Sequence, residues 1–508
     1  MKAFRFFISF RIYLSLLAVL LFLLFLFFPQ ILSKENPVIA YMAGTAILMA
    51  IWWMTEIIPL AVTALIPVAL FPLLGIMNGK AVAATYFNHL IFLFIGGFLI
   101  ALAMEKWRLH KRIALKILLL IGVSPARILL GFMLTSAFLS MWISNTATTM
   151  MMIPILLAII IKMEELNESI MVRKMEKGLL LGIAYAASIG GMATLIGTPP
   201  NLSFVRIFKI YFPEAPDISF AQWMLFGLPL SLLLLLLTYA YLYGLFFRTK
   251  KQKLHFDAQV IKKEYRHLGP VSYEEKWVLF LFVLLAFLWL FRKPIQIGNG
   301  FHIPGWSQLF PHPDWITDGN IAILIGILLF IIPAKNSKGF LMEWKTAERI
   351  PWGIILLFGG GFALASGFKE SGLSEYIGNA LSGLQSLHPL IILLIVVTTI
   401  TFLTELTSNT ATVETFLPIL ASMAMAIHIN PLFLMVPATI AGSYAFMLPV
   451  ATPPNAIVFG SGRLKINDMV KTGFWLNLIG IALLTIVSYY YLTWIFGIEI
   501  NQLPAWAK

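Results

Sequence analysis

The twelve residues SNTATTMMMIPI that begin at Ser144 return as SNTATVETFLPI at Ser408, 264 residues later. Two further pairs keep the same order. FIGGF (Phe94 to Phe98) recurs as FGGGF (Phe358 to Phe362) at the same displacement, and IGTPPN (Ile196 to Asn201) recurs as VATPPN (Val450 to Asn455) at 254. Three collinear matches mark an internal duplication with one short deletion, so a single structural unit is built twice.

The unit is made of membrane spans. Hydrophobic residues make up 60% of the 508 and charged residues only 12%, where soluble domains carry about 25% charged residues. Apolar stretches of about 17–25 residues are long enough to cross a bilayer. They fall near 11–33, 37–57, 58–77, 89–105, 178–208, 222–247, 276–292, 319–334, 352–368, 432–462 and 473–497, eleven in all. Two other apolar regions, 124–161 and 386–428, are interrupted by Ser144-Asn145 and Ser408-Asn409 and read as re-entrant helical hairpins. Non-helical backbone at membrane depth is tolerated only where it is buried in protein or lines a watery cavity, so the hairpin tips should face a site. The expected fold is an all-α integral membrane protein. Its basic N-terminus resembles a signal peptide, but the apolar run is about 20 residues with no small-residue cleavage site after it, and it reads as a retained span.

Charge supports this count. The net charge of +13 can suggest a nucleic-acid partner, but the Lys and Arg residues sit in short loops between apolar runs, as membrane orientation requires. With the N-terminus cytoplasmic, the loops EKWRLHKR at 105–112, RKMEK at 173–177 and the stretch 248–276, with eight Lys or Arg, fall inside. Segments 209–221 and 299–318, nearly free of them, fall outside. His255, Asp257 and His267 in the basic stretch read as a solvated loop rather than a metal site. There are no cysteines, which excludes a disulfide scaffold, a thiolate metal site and a cysteine nucleophile.

Five complete crossings separate the two Ser-Asn-Thr tips. An odd number makes the second tip enter from the opposite side, so the copies are inverted. The chain divides into an N-terminal span (1–36), a first repeat (37–250) with hairpin 124–161 and broken helix 178–208, a basic linker (251–275), and a second repeat (276–508) with hairpin 386–428 and broken helix 432–462. Inverted repeats with broken helices are the architecture of secondary transporters.

Ser and Asn are good N-caps, so each hairpin's second arm should start at Ser144-Asn145 or Ser408-Asn409. In Thr198-Pro199-Pro200 and Thr452-Pro453-Pro454 the prolines lack N–H groups and disfavour helix before them, so the span must break and a new half-helix can start. Up to four helix N-termini then converge, a setting for an anion such as a carboxylate. Each terminus contributes roughly 0.3–2 kcal/mol, whereas an unpaired buried ion costs tens of kcal/mol by Born estimate. A positive partner is required, yet no Lys, Arg or His occurs in 138–160, 184–205, 401–427 or 438–462. Bound cations are the natural substitute. Freed carbonyls with Ser140, Ser144, Asn145, Thr404, Ser408 and Asn409 suit a hard monovalent ion such as sodium.

Four acids lie within or at the ends of spans: Glu56, Glu105, Glu405 and Glu414. Glu56 and Glu105 fall near the interface and read as solvated carboxylates. Glu405 stays open, and Glu414 stands where the first copy has Met150, which sets it outside the paired sites. Trp52, Trp53, Trp344, Trp352 and Trp475 near span ends read as interfacial anchors. Gly96-Gly97 and Gly359-Gly360-Gly361 read as close helix packing rather than a ligand cradle.

With these residues in view the chain resembles the divalent anion/sodium symporter family, whose members carry dicarboxylates, citrate or sulfate. The likeness covers nearly the whole chain through the duplicated Ser-Asn-Thr and Thr-Pro-Pro motifs. It implies eleven transmembrane helices plus two re-entrant hairpins, a homodimer, and an elevator movement of the motif-bearing part against a scaffold. It also implies one sodium site framed by Ser140, Ser144, Asn145 and Gly197, and a counterpart framed by Thr404, Thr407, Asn409 and Ala451. Substrate carboxylates would be held by Ser144, Asn145, Thr146, Thr198, Asn409, Thr410, Thr452 and Pro453.

The expected function is sodium-driven uptake of a C4-dicarboxylate such as succinate, malate or fumarate across a plasma membrane, here a bacterial inner membrane. Sodium ions are co-transported, and no organic cofactor or enzymatic activity is expected. Sodium-independent dicarboxylate exchange, or sodium-coupled citrate or sulfate transport, is the alternative. An exchanger should use a fixed positive group near its site. A hydrolase would need a base beside Ser144 or Ser408, and the motif regions hold neither His nor Lys.

Overall fold

The computed structural model describes residues 2–122, 124–166, 170–247, 259–297, 301–335 and 338–507. Residues 248–258 of the basic linker, with His255 and Asp257, lie outside the described residues. The rest of the linker contains the helix Gln259–His267.

The duplication governs where helices begin. Hairpin arm Pro125–Ser140 follows the cap Ser124, whose Oγ accepts from Arg127 N, and its counterpart Pro389–Thr404 follows His388. Proline at the first helical position suits both starts, since the missing N–H has no helical partner there. The second arms, Asn145–Leu166 and Asn409–Ala426, also start 264 residues apart. Both broken helices break where the Pro-Pro motifs require it, as Ile170–Gly191 then Pro199–Tyr211, and as Pro431–Ala441 then Pro453–Gly460. All of Pro431–Ala441 is buried, so this short apolar segment lies in the protein core rather than in lipid.

Among the described residues, six helical stretches are long and apolar enough to cross a bilayer: Pro37–Thr55, Gly79–Lys106, Asn145–Glu165, Phe220–Phe247, Trp352–Ser371 and Ile466–Phe496. Six more apolar helices have 10–17 residues. Several expectations are corrected. The stretch 58–77 is not one continuous span but Leu60–Thr63 followed by Ile66–Leu73. Pro67 lacks an N–H and its ring opposes the Thr63 carbonyl, so the helix breaks between them. At 1.5 Å per residue the two pieces, of four and eight residues, together cover about 18 Å, short of the roughly 30 Å hydrocarbon core. The basic segment 105–112 is not a loop, because His89–Lys106 turns at Arg108 (φ 57) into the helix Leu109–Ile121. RKMEK at 173–177 lies inside Ile170–Gly191. The chain is not purely helical, since Ile295–Ile297 pairs antiparallel with Phe301–Ile303. Trp53 is no interfacial anchor. It is fully buried and donates through Nε1 to Leu60 O at 3.1 Å.

The glycine pairs do pack helices. Helix His89–Lys106 lies against Asp318–Ile331 so closely that a Cβ on Gly96 would stand 2.4 Å from the Ala322 carbonyl carbon. At the basic face Arg463, which follows Pro453–Gly460, bonds Glu164 Oε1 at 2.8 Å and Glu176 Oε1 at 2.7 Å. The end of the second broken helix is thereby tied to the first copy.

Candidate functional site

At the first tip the chain leaves helix at Ser140 and re-enters it at Asn145, with Ser144 Oγ accepting from Ala147 N at 3.2 Å. Ser140 Oγ donates to Asn145 Oδ1. The neighbouring break is folded onto this turn. Thr194 Oγ1 donates to Met141 O at 2.6 Å and accepts from Gly197 N at 3.1 Å. A Cβ on Gly191 would lie 2.8 Å from Asn145 Oδ1 and 3.0 Å from Gly197 O, so the Asn145 amide and the Gly197 carbonyl converge over Gly191. Ser140, Asn145 and Gly197 are therefore together, with Ser144 beside them as the cap.

The second tip repeats the motif with changes. Thr404 Oγ1 lies 2.8 Å from Asn409 Oδ1 and 2.9 Å from Gly442 O, able to donate to either. Thr407 turns along its own segment, toward Leu403 O at 3.0 Å and the Thr412 hydroxyl. Thr452 Oγ1 accepts from Asn455 N at 3.3 Å and caps its half-helix, while Thr198 makes no such cap. Ala451 is buried beside the break, Thr198, Thr410 and Thr452 are buried, and Pro453 is exposed.

Two residues that sequence reasoning left unassigned tie both breaks in the same way. Asn201 Nδ2 donates to Gly191 O at 3.3 Å and Thr194 O at 2.7 Å. Asn455 Nδ2 donates to Ala445 O and Leu448 O, both at 3.0 Å. These carbonyls are equivalent at the 254-residue displacement. The Asn that ends each Thr-Pro-Pro-Asn motif was thus the available signal. It pins the non-helical backbone of each break.

The copies part company at Glu405, whose counterpart is Met141. Its Oε1 accepts from Phe446 N (2.7 Å), Met447 N (2.8 Å) and Asn477 Nδ2 (2.7 Å), and Oε2 from Leu448 N (3.1 Å). A carboxylate thus organises the second break, where the first uses the Thr194 hydroxyl and a carbonyl.

Glu414 is buried, accepts from Ser203 Oγ at 2.7 Å through Oε1, and rests on bare backbone at Gly361, where a Cβ would come 2.4 Å from its Cδ. Removing the Ser203 hydroxyl would leave the carboxyl without its partner, a cost of about 1–3 kcal/mol. Ser203→Ala is accordingly expected to lower the thermal unfolding midpoint in detergent, and an unchanged midpoint would contradict this reading of the contact.

A cavity of about 380 Å³ opens beside the first tip, within the range of about 300–1,000 Å³ common for small-molecule sites. Ser144 and Thr146 line it, with Ala147, Met150, Glu105, His110 and Arg349. The remaining residues expected to hold substrate are not in its wall. Met150 is 60% exposed there, whereas Glu414 at the equivalent position is sealed. On the sealed side Pro199–Tyr211 packs on Trp352–Ser371 and Asn409–Ala426, with Tyr211 Oη 2.6 Å from Ser374 Oγ and Lys369 Nζ donating to Ile210 O at 3.0 Å. Met150 thus borders the open cavity, whereas Glu414 is packed between helices.

The profile of the family described as the sodium:sulfate symporter transmembrane region matches residues 9–498. The sodium-dependent dicarboxylate transporter SdcS of Staphylococcus aureus (strain bovine RF122 / ET3-1) is 45% identical over 495 residues, covering 96% of this chain and 92% of SdcS. SdcS of strain NCTC 8325 matches to the same extent. Among solved structures, Neisseria gonorrhoeae MtrF, from a class of antimetabolite efflux pumps, superposes with a TM-score of 0.55 at 13% identity, covering 85% of each chain. The YdaH transporter of Alcanivorax borkumensis gives 0.55 at 13% identity, covering 89% of this chain and 98% of its own. The fold is that of a multi-pass helical membrane transporter, and the chain belongs to the sodium:sulfate symporter family.

Proposed function

We propose that the protein is a secondary active transporter that uses the sodium gradient to take up a C4-dicarboxylate across the plasma membrane. The observation that carries this reading is the duplicated oxygen-rich break: Ser140, Asn145 and Gly197 in one copy, Thr404 and Asn409 in the other, with no Lys, Arg or His in either pair of motif segments. Such a site accepts a dianion only when cations come with it, and that requirement couples the two movements. The likeness to SdcS supports the dicarboxylate.

The sodium ions lie between each tip and its neighbouring break, framed by Ser140, Ser144, Asn145 and Gly197 and by Thr404, Thr407, Asn409 and Ala451. The substrate bridges the two motif pairs through Ser144, Asn145, Thr146, Thr198, Asn409, Thr410, Thr452 and Pro453. The tips are re-entrant hairpins in a multi-span arrangement with a cytoplasmic N-terminus, and the copies are inverted. The open cavity beside Met150 and the sealed contact at Glu414 support alternating access, in which the motif-bearing part moves as an elevator against the scaffold of a homodimer.

One observation favours a second reading. Arg349 lines the cavity, and a fixed cation near the site is what a sodium-independent exchanger would use. Its pairing with Glu105 at 2.6 Å removes most of that charge from the site. Counterflow separates the two. Vesicles without internal dicarboxylate should still accumulate succinate when given a sodium gradient, and an absolute need for internal counter-substrate would establish exchange instead.

A further inference from the structure

We infer that Arg349 and Glu105 form a carboxylate-docking subsite at the cavity mouth, where one carboxylate of the substrate displaces Glu105 from the guanidinium on its way to or from Ser144 and Thr146. The inference rests on the dicarboxylate function proposed above and adds a binding step to it.

The cavity wall is otherwise poorly suited to a dianion. Beside the hydroxyls of Ser144, Thr146 and Thr148 it presents the apolar Leu139, Ile143, Ala147, Met150 and Met151. His110 also lines it, but burial holds the imidazole below its usual pKa, against the opposing effects of a 2.9 Å bond between Nδ1 and Met104 O and of nearby Glu105. The charged form of the ring is thereby disfavoured. Arg349 is then the permanent cation among the described residues of the wall.

Its guanidinium is only partly engaged. One terminal nitrogen meets Glu105 Oε1 at 2.6 Å, and the guanidinium makes no other hydrogen bond among the described residues. Arginine offers five N–H donors in a planar fork that grips a carboxylate through two of them. The side chains are 57% and 38% exposed, so the Arg349–Glu105 contact is a solvent-screened ion pair that contributes little to stability. An incoming carboxylate that engages the open edge of the fork can therefore replace Glu105. The resident carboxylate in turn keeps Arg349 from retaining the anion once it has docked.

The duplication makes the subsite one-sided. Glu105 is the last acidic residue of His89–Lys106, and its counterpart 264 residues on is Lys369, which donates to the Ile210 carbonyl. The charge is reversed, so the opposite face lacks this carboxylate–guanidinium pair.

Succinate transport measured separately in inside-out and right-side-out membrane vesicles tests the subsite. Arg349→Gln should raise the half-saturating succinate concentration at one face by about tenfold, the loss of one charge-assisted hydrogen bond. The other face, the maximal rate and the sodium dependence should be unchanged. Glu105→Gln should lower the same constant at the same face, and Arg349→Lys should restore part of the affinity. Constants unchanged at both faces, equal shifts at both faces, or shifts of the same sign in the Arg349 and Glu105 variants would overturn it. Wild-type vesicles with no succinate transport would instead overturn the function itself, and the subsite with it.

Discussion

Asn145→Ala and Asn409→Ala should each abolish sodium-driven uptake while leaving the protein folded. Each asparagine begins the second arm of its hairpin and presents Oδ1 to a hydroxyl of the first arm, Ser140 in one copy and Thr404 in the other. Alanine removes a side-chain oxygen at the tip beside the break. Loss of a residue that ligates or orients a ligand typically costs about 10–100-fold in metal affinity. Dianion binding depends on the cations, so the effect on uptake should be at least that large. The accompanying measurement is sodium-dependent stabilisation, because a ligand that binds only the folded state raises the unfolding midpoint. Wild-type protein should gain thermal stability with sodium, and each variant should lose much of that gain. Near-normal uptake in either variant would remove its asparagine from the site.

Glu405 should show the largest effect on stability. Its carboxylate receives three consecutive backbone N–H groups and the Asn477 amide, with the Phe446 and Asn477 bonds buried and the Met447 and Leu448 bonds partly buried. Glu405→Leu leaves these four donors unmatched, at about 1–3 kcal/mol each where water cannot replace the partner. Glu405→Gln is milder but still costly. With its oxygen at the Oε1 position it keeps the bonds to Phe446, Met447 and Asn477, and its NH₂ then opposes Leu448 N–H. The expected order of thermal unfolding midpoints is wild type, then Gln, then Leu, with the Leu variant poorly recovered in detergent. A Leu variant as stable as wild type would mean that the break between Gly442 and Ala451 is held by other contacts.

The helix breaks were legible because proline chemistry and capping act locally. The starts at Asn145, Pro199, Asn409 and Pro453 follow from the residues themselves, and the duplication gave each an internal control. The amphipathic helix Leu109–Ile121 was hidden by its own Lys and Arg residues, which read as a loop when only apolar run length is counted. The span at 58–77 was overestimated for the converse reason, since composition does not register the break ahead of Pro67.

Within the site, legibility ended where partners lie far apart in the chain. Glu405 could be marked as a suspect acid, but the backbone that receives it lies about 41–43 residues away and Asn477 lies 72 away. Arg349 falls outside all four motif windows, and it comes to the cavity where Trp344–Ala347 packs on His89–Lys106. Asn201 and Asn455 stood inside a recognised motif, yet their common task appears only when the carbonyls they bridge are seen to be equivalent.

Sodium dependence of succinate uptake in proteoliposomes is the most direct test of the central claim. With the purified protein reconstituted and no internal dicarboxylate, an inward sodium gradient should drive accumulation. Replacing sodium with potassium or choline should reduce uptake to the level of protein-free vesicles. Equal uptake in all three salts would contradict coupling through the paired breaks.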